Sequence, residues 1–307
     1  MKHSRGIFRV KVPASAANLG PGLDALALAL SLYLTVTVKV SDKFSLNLTG
    51  LGQEELPTTK QNNLTYRAFS KLCEAKGDKS PEVDIFAEND IPPARGIGSS
   101  ASAIVAGLLA ANSIMNYKLN RSDLLQLAAK LEGHCDNPAA ALFGGCVVVT
   151  KNEDKTYWGR VNVPPQLKIV IFVPDFEIPT EKARKVLPKM VPLEDAVFNV
   201  QRASLLVASL AQSDFELLKL STEDKLHEDI RVKSFFPKVY ELANTAKEAG
   251  AKGSFLCGSG SSIGAFAVEK PEYIANMMQE RADELGISGT TTTVSVDTEG
   301  AVVEEVT

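Results

Sequence analysis

The chain has 307 residues, of which 45% are hydrophobic and 23% charged, with 33 basic and 37 acidic side chains and a formal net charge of −4. That length suits two domains, and the slightly acidic balance gives no electrostatic case for a nucleic-acid partner. No apolar run is long enough to span a bilayer, and Met1-Lys-His-Ser-Arg-Gly lacks the basic-then-apolar order of a signal peptide, so a cytoplasmic protein without a membrane partner is expected.

Residues 8–12 and 32–40 cluster β-formers and predict strands. Between them, Val12-Pro-Ala-Ser-Ala-Ala-Asn-Leu-Gly-Pro-Gly-Leu-Asp24 reads as a Pro/Gly loop, in which Asn18 and Asp24 make turns and caps. Residues 44–48 alternate, and residues 83–87 are apolar at every second place. Residues 63–75 predict a helix. Residues 99–116 predict another, apolar nearly all round and therefore buried. Residues 121–132 are amphipathic, with Leu124, Leu125, Leu127, Ala128 and Leu131 on one side. Gly133 closes that helix, and Asn137 is placed to cap the next with Pro138 at its first position. Residues 146–150 form a strand.

Residues 151–165 are polar and end in Pro164-Pro165, a border between a domain of residues 1–163 and one of residues 164–307. Beyond it come a buried strand at 167–173, helices at 196–210, 215–220 and 236–248, and a glycine loop at 257–262 between strands 254–256 and 263–268. A helix at 273–285 and a final strand at 289–296 follow. The second half thus reads as an α+β sandwich on a mostly antiparallel sheet. Cys73, Cys135, Cys146 and Cys257 are scattered without a Cys-x-x-Cys pair, which points to buried thiols in a reducing compartment and away from zinc.

The most telling stretch is Pro92-Pro93-Ala94-Arg95-Gly96-Ile97-Gly98-Ser99-Ser100-Ala101-Ser102. It is a glycine loop feeding a buried helix. A helix start offers unpaired N–H groups and a dipole that favours anions, and glycines let a ligand approach the backbone. Two serines add hydroxyls for phosphate or Mg²⁺, so the natural guest is a polyphosphate. Neither common fingerprint fits: no lysine follows Gly98, and Ala101 stands where a dinucleotide loop has its third glycine.

The pattern that remains, Pro-x-x-x-Gly-Ile-Gly-Ser-Ser-Ala, resembles the phosphate loop of the GHMP small-molecule kinases. Two further segments resemble the homoserine kinase family within that group. The first is Pro13-Ala-Ser-Ala-Ala-Asn18-Leu-Gly-Pro-Gly-Leu23-Asp24, where the family more often has Phe at Leu23. The second is Glu132-Gly-His134-Cys135-Asp136-Asn137, where Pro is usual at Cys135. The segments around Thr180, Arg184 and Arg231 and the second glycine loop are similar too, with Ser259 and Ser261 replacing the usual Ala and Pro.

This resemblance implies an α+β GHMP kinase fold, with an N-terminal ribosomal-protein-S5-domain-2-like domain and a C-terminal ferredoxin-like α/β sandwich. It implies ATP-dependent phosphorylation of the side-chain hydroxyl of L-homoserine, with Mg²⁺ as cofactor. Asn63 and residues 92–102 would bind ATP. Asn18, Asp24, His134, Asn137, Thr180, Arg184 and Arg231 would bind the amino acid, Asn137 and Arg184 serving catalysis. Ser100 would touch the metal, joined by Gln126, where the family usually has a Glu ligand. A homodimer is expected. A kinase for another hydroxy amino acid such as threonine, and a silent ligand-binding homologue, are the alternatives.

Overall fold

The computed structural model describes residues 4 and 6–306, so most of the N-terminal segment read above lies outside the described residues. The chain opens with a long hairpin of β1 (Ile7–Asn18) and β2 (Gly22–Val40). The stretch expected to be a loop is therefore mostly strand. Ala14, Ser15, Ala16 and Ala17 are almost wholly buried, and a strand covered on both faces shows no alternation for a sequence reading to detect. The pairing slips between Pro13 and Ala14, where proline has no N–H for the ladder. Only residues 19–21 form the turn itself.

Strand β2 organises the first sheet. Its far half pairs with β4 (Val83–Asn89), and its near half with β5 (Cys146–Asn152). Strand β3 (Ser45–Gly50) runs parallel to β4 after a crossover through α1 (Leu64–Ala75). The stretch expected to be a polar seam carries β6 (Lys155–Val161), which pairs with β5 as an edge hairpin. Helices α2 (Ser99–Ile114), α3 (Arg121–Glu132) and α4 (Asp136–Phe143) cover the sheet. Helix α2 is buried on nearly every side, as its composition requires. Gly107 lets it touch α1, because a Cβ there would lie 2.0 Å from the Thr65 carbonyl oxygen. Helix α4 begins two residues earlier than expected, so Asn137 lies inside its first turn and Pro138 is its third residue.

The second sheet contains four antiparallel strands in the order β10-β7-β9-β8. These are β7 (Lys168–Pro174), β8 (Gly253–Leu256), β9 (Ile263–Ala267) and β10 (Gly289–Ser295). Between β7 and β8 run α5 (Thr180–Lys185), α6 (Leu193–Gln212), α7 (Leu218–Ser221), α8 (Glu228–Phe235) and α9 (Tyr240–Glu248). Helix α10 (Pro271–Leu285) follows β9. This is the split βαβ arrangement of a ferredoxin-like sandwich. The chain end then recrosses the border: β11 (Val302–Val306) adds to β1 in the first sheet. Two of its five residues are glutamates, which hides an edge strand from pattern reading.

Among the described residues no helix is long and apolar enough to cross a membrane. All four cysteines are free and buried. Glu228 is buried beneath β8, where its Oε1 accepts from Leu256 N–H at 2.7 Å. Burial, reinforced by Asp224, pushes its carboxyl from 4.5 up to about 8. The folded state therefore keeps a proton that the unfolded chain releases, and stability falls as pH rises between those values. In thermal melts from about pH 5 to about pH 8, Glu228→Gln is expected to flatten the decline of Tm. Parallel slopes for wild type and variant would refute this.

Candidate active site

The glycine loop of residues 94–100 lies between the two domains, with a cavity on either side. Ala94, Gly96, Ser99, Ser100, Thr180 and Ser259 line both. The larger cavity, about 500 Å³, is apolar, walled by Leu34, Leu46, Leu48, Leu56 and Ile85. Asn63 and Pro93 stand at its rim, Asn63 also capping α1 through Tyr66 N–H at 3.0 Å. The smaller cavity is polar and gathers Asn18, Asp24, Glu132, His134, Asn137, Arg184 and Arg231.

Gly98 starts α2 with φ of 74°, a left-handed conformation that costs glycine nothing. The first intrahelical bond runs from Ser102 N–H to the Gly98 carbonyl, so the N–H groups of Ser99, Ser100 and Ala101 precede it. The loop is braced from both domains. Ser15 N–H donates to the Ile97 carbonyl, and Ser262 N–H to that of Arg95. Gly96 passes so close to the second glycine loop that a Cβ would sit 2.3 Å from the Cys257 carbonyl oxygen.

Six residues expected at the ligand surface line neither cavity. Pro92 is set back from both. Ile97, Ala101 and Ser102 are wholly buried, and the Ser102 hydroxyl donates to the Pro13 carbonyl at 2.8 Å. Arg95 turns away to cross-link the domains, donating to the carbonyls of Pro93, Pro174 and Asp175 and pairing with Glu177. The sixth is Gln126, expected as a metal contact, which the structure turns away from both cavities. Its amide closes onto edge strand β6, accepting from Thr156 N–H at 2.7 Å and donating to the Thr156 carbonyl at 2.9 Å. The carboxylate beside the loop is Glu132, at the end of the same helix, which accepts from the Ser100 hydroxyl at 2.8 Å.

On the polar side, Asp136 braces its neighbours. Its Oδ1 accepts from Asn137 N–H at 2.8 Å and lies 2.7 Å from His134 Nδ1. Burial opposes charge on His134, but Asp136 and Glu132 outweigh it and raise the imidazole pKa. Burial also raises the Glu132 carboxyl, with His134 and Ser100 offsetting part of the shift. The Asn137 amide oxygen accepts from the Ser15 hydroxyl at 2.8 Å, which leaves Nδ2 as its donor to the cavity. Asn18, the last residue of β1 with φ of 72°, donates to the Gly258 carbonyl and accepts from Asp24 N–H.

Asp24 and Arg184, 160 positions apart, form a bidentate pair at 2.7 and 3.0 Å. Burial works against the Asp24 charge, yet the hydrogen bond and charge of Arg184 hold its pKa below the usual range. Arg231 is only 2% exposed. Its Nε and Nη1 are spent on the Ala183 and Gly258 carbonyls and on His227. Burial, with the nearby charge of Arg184, lowers its pKa. Thr180, at the start of α5, shares a 3.3 Å hydroxyl contact with Ser259.

Comparison with known proteins decides the kinship. The GHMP kinases N terminal domain matches residues 63–145, and the GHMP kinases C terminal domain matches residues 206–287. The chain is 40% identical to a homoserine kinase of Desulfitobacterium hafniense, over 97% of this chain and all of that one. It is 37% identical to a homoserine kinase of Clostridium beijerinckii, over 97% and 99% of the two chains. The chain belongs to the homoserine kinase family of the GHMP kinases. Its fold agrees: a crystal structure of homoserine kinase from Cytophaga hutchinsonii superposes with a TM-score of 0.87 at 29% identity, covering 99% of each chain.

Within this family's frame, motif reading missed Glu132, Ser15 and the whole surroundings of Arg231. Glu132 had a signal available, since it opens the Glu-Gly-His motif and so ends a helix beside the residues expected in the pocket. Ser15 had none, because a small residue in a buried strand looks like filler.

Proposed function

We propose that the chain transfers the γ-phosphoryl group of ATP to the side-chain hydroxyl of L-homoserine, giving O-phospho-L-homoserine for threonine biosynthesis. The observation that carries this reading is the polar cavity, where three carboxylates, two guanidiniums and two amides meet at the glycine loop. An α-amino acid presents an ammonium for Asp24 and a carboxylate for Arg184 and Arg231. The zwitterion satisfies both members of the Asp24–Arg184 pair as it enters. Asn18 and Thr180 complete the walls, and His134 closes the side toward Glu132.

Asn137 Nδ2 donates to the acceptor hydroxyl oxygen and aims it at the loop, where the N–H groups of α2 hold the phosphates. An amide donor takes no proton, and Asp136 is already committed to His134 and Asn137. The hydroxyl proton therefore passes to a γ-phosphate oxygen as the new P–O bond forms and ADP leaves. The adenosine occupies the apolar cavity beside Asn63.

The donor set fits Mg²⁺. Ser100 Oγ and the partly buried Glu132 carboxylate offer hard oxygen ligands beside the loop, and Mg²⁺ takes most of its remaining ligands from phosphates and water. Bound there, the ion supplies charge neutralisation for the phosphates. With Glu132 in place, the Gln at position 126 gives no reason to read the chain as a silent homologue.

The deciding measurement is coupled ADP release with homoserine, threonine, serine and no acceptor. Turnover with homoserine at the blank rate would refute the reading, and faster turnover with threonine would reassign the substrate. Arg184→Ala is expected to raise KM for homoserine by about 10- to 100-fold and leave KM for ATP within about twofold. Equal changes in both would remove Arg184 from the amino-acid pocket. We also propose a homodimer, which light scattering checks against twice the 32.9 kDa chain mass.

A further inference from the structure

Behind Arg231 lies a buried cluster to which the reaction assigns no task. His227 is 1% exposed, with Nδ1 3.0 Å from Arg231 Nη1 and Nε2 2.7 Å from the Gly20 carbonyl oxygen. A guanidinium only donates, so the nitrogen facing it must accept. A carbonyl oxygen only accepts, so the nitrogen facing it must carry the proton. One form of the ring meets both demands: neutral imidazole protonated at Nε2. An imidazolium would set N–H against N–H at Arg231. Burial keeps the ring's pKa below its usual value despite the pull of Asp224.

The two ends of this bridge matter. Gly20 belongs to the turn between Asn18 and Asp24, and the turn is seated so tightly that a Cβ on Gly20 would lie 2.2 Å from the Thr222 carbonyl oxygen. Asn18 Nδ2 and Arg231 Nη1 also converge on one acceptor, the Gly258 carbonyl. Asp224 holds the ring's own backbone, accepting from the N–H groups of His227 and Glu228 at 2.8 Å. Arg231 comes from α8 of the second domain, and the turn comes from the first.

We propose that His227 is a positioning residue for acceptor recognition: a neutral, Nε2-protonated imidazole that fixes the roll of the Arg231 guanidinium and ties it to the turn carrying Asn18 and Asp24. The proposal rests on the reading that Arg231 receives the carboxylate of the amino acid. The ring touches neither reactant and acts through its two partners.

Two amides separate its two bonds. The Asn side chain reaches about as far as Nδ1 and keeps an acceptor for Arg231, whereas Gln reaches toward Nε2 and keeps a donor for Gly20. His227→Gln is expected to raise KM for homoserine by about tenfold or more, with kcat and KM for ATP within about threefold. His227→Asn should restore most of that loss, and His227→Phe should be at least as impaired as Gln. Unchanged KM for homoserine in both Gln and Phe variants, or an equal rise in KM for ATP, overturns the proposal.

The second measurement needs no variant to fold. The chain has three histidines, so ¹⁵N-histidine NMR of the wild-type protein resolves each ring. His227 is expected as the neutral Nε2–H tautomer. An imidazolium or Nδ1–H form in an active enzyme overturns the proposal alone. Wild-type enzyme inactive toward homoserine overturns instead the reading on which it rests.

Discussion

Gly98→Ala is expected to lower kcat/KM by about 10³-fold or more, because one methyl group would disturb three parts of the site together. The added Cβ would sit 2.1 Å from Ser15 Oγ, 2.9 Å from Ser15 N and 3.0 Å from Ser15 O. The last two are backbone atoms of a central strand and cannot swing aside. Ser15 also supports the loop at Ile97 and orients Asn137 through its hydroxyl. Relief of the clash therefore moves the loop away from the Asn137 amide that is proposed to aim the acceptor. The left-handed backbone and the overpacking together should cost about 2–4 kcal/mol of stability. Gly77→Ala is the control: it shares a positive φ of 76°, but a Cβ there meets nothing within 4 Å. It should leave kinetics unchanged. A Gly98→Ala enzyme within tenfold of wild type would contradict this account of the loop.

Glu132→Gln and Gln126→Ala should have opposite consequences, although both residues lie on α3. Glu132 is a desolvated carboxylate whose folded environment raises its pKa, so neutralising it relieves a cost. The apo protein should melt no lower than wild type. Activity should fall about 10²- to 10³-fold, and the Mg²⁺ concentration needed for half-maximal rate should rise. Gln126→Ala should leave the Mg²⁺ requirement alone. It strips two hydrogen bonds from the buried backbone of Thr156, and stability should drop by about 2 kcal/mol. Melting curves and Mg²⁺ titrations of the two variants decide the matter. A raised Mg²⁺ requirement in Gln126→Ala, with none in Glu132→Gln, would return the metal contact to position 126.

That contrast shows where reading along the chain loses resolution. Both residues occupy a helix that the apolar pattern delimited to its last residue. Six positions along a helix turn the side chain by about 600°, so the two point well apart. Which of them reached the phosphate loop depended on the direction α3 takes against α2 and β6. The same holds for Arg95, whose place in the motif resembles a phosphate contact and whose side chain serves as a strut between domains. Of the β5–β6 hairpin only β6 was hidden, because it is open to solvent and its residues read as a polar border.

By itself, the sequence determined the elements that local chemistry imposes. The glycine pair before a long run of small apolar residues signalled a tight loop into a buried helix. Gly133 ends a helix where Asn137 can enter the cleft. Arginines in the second half supply planar donors for a carboxylate. The tertiary structure alone decided which groups meet. It paired Asp24 with Arg184 across the domain border, buried Arg231 against His227, set Glu132 beside Ser100 and returned β11 to the first sheet. Contacts between distant segments depend on how helices turn and sheets pack, and no local pattern records that.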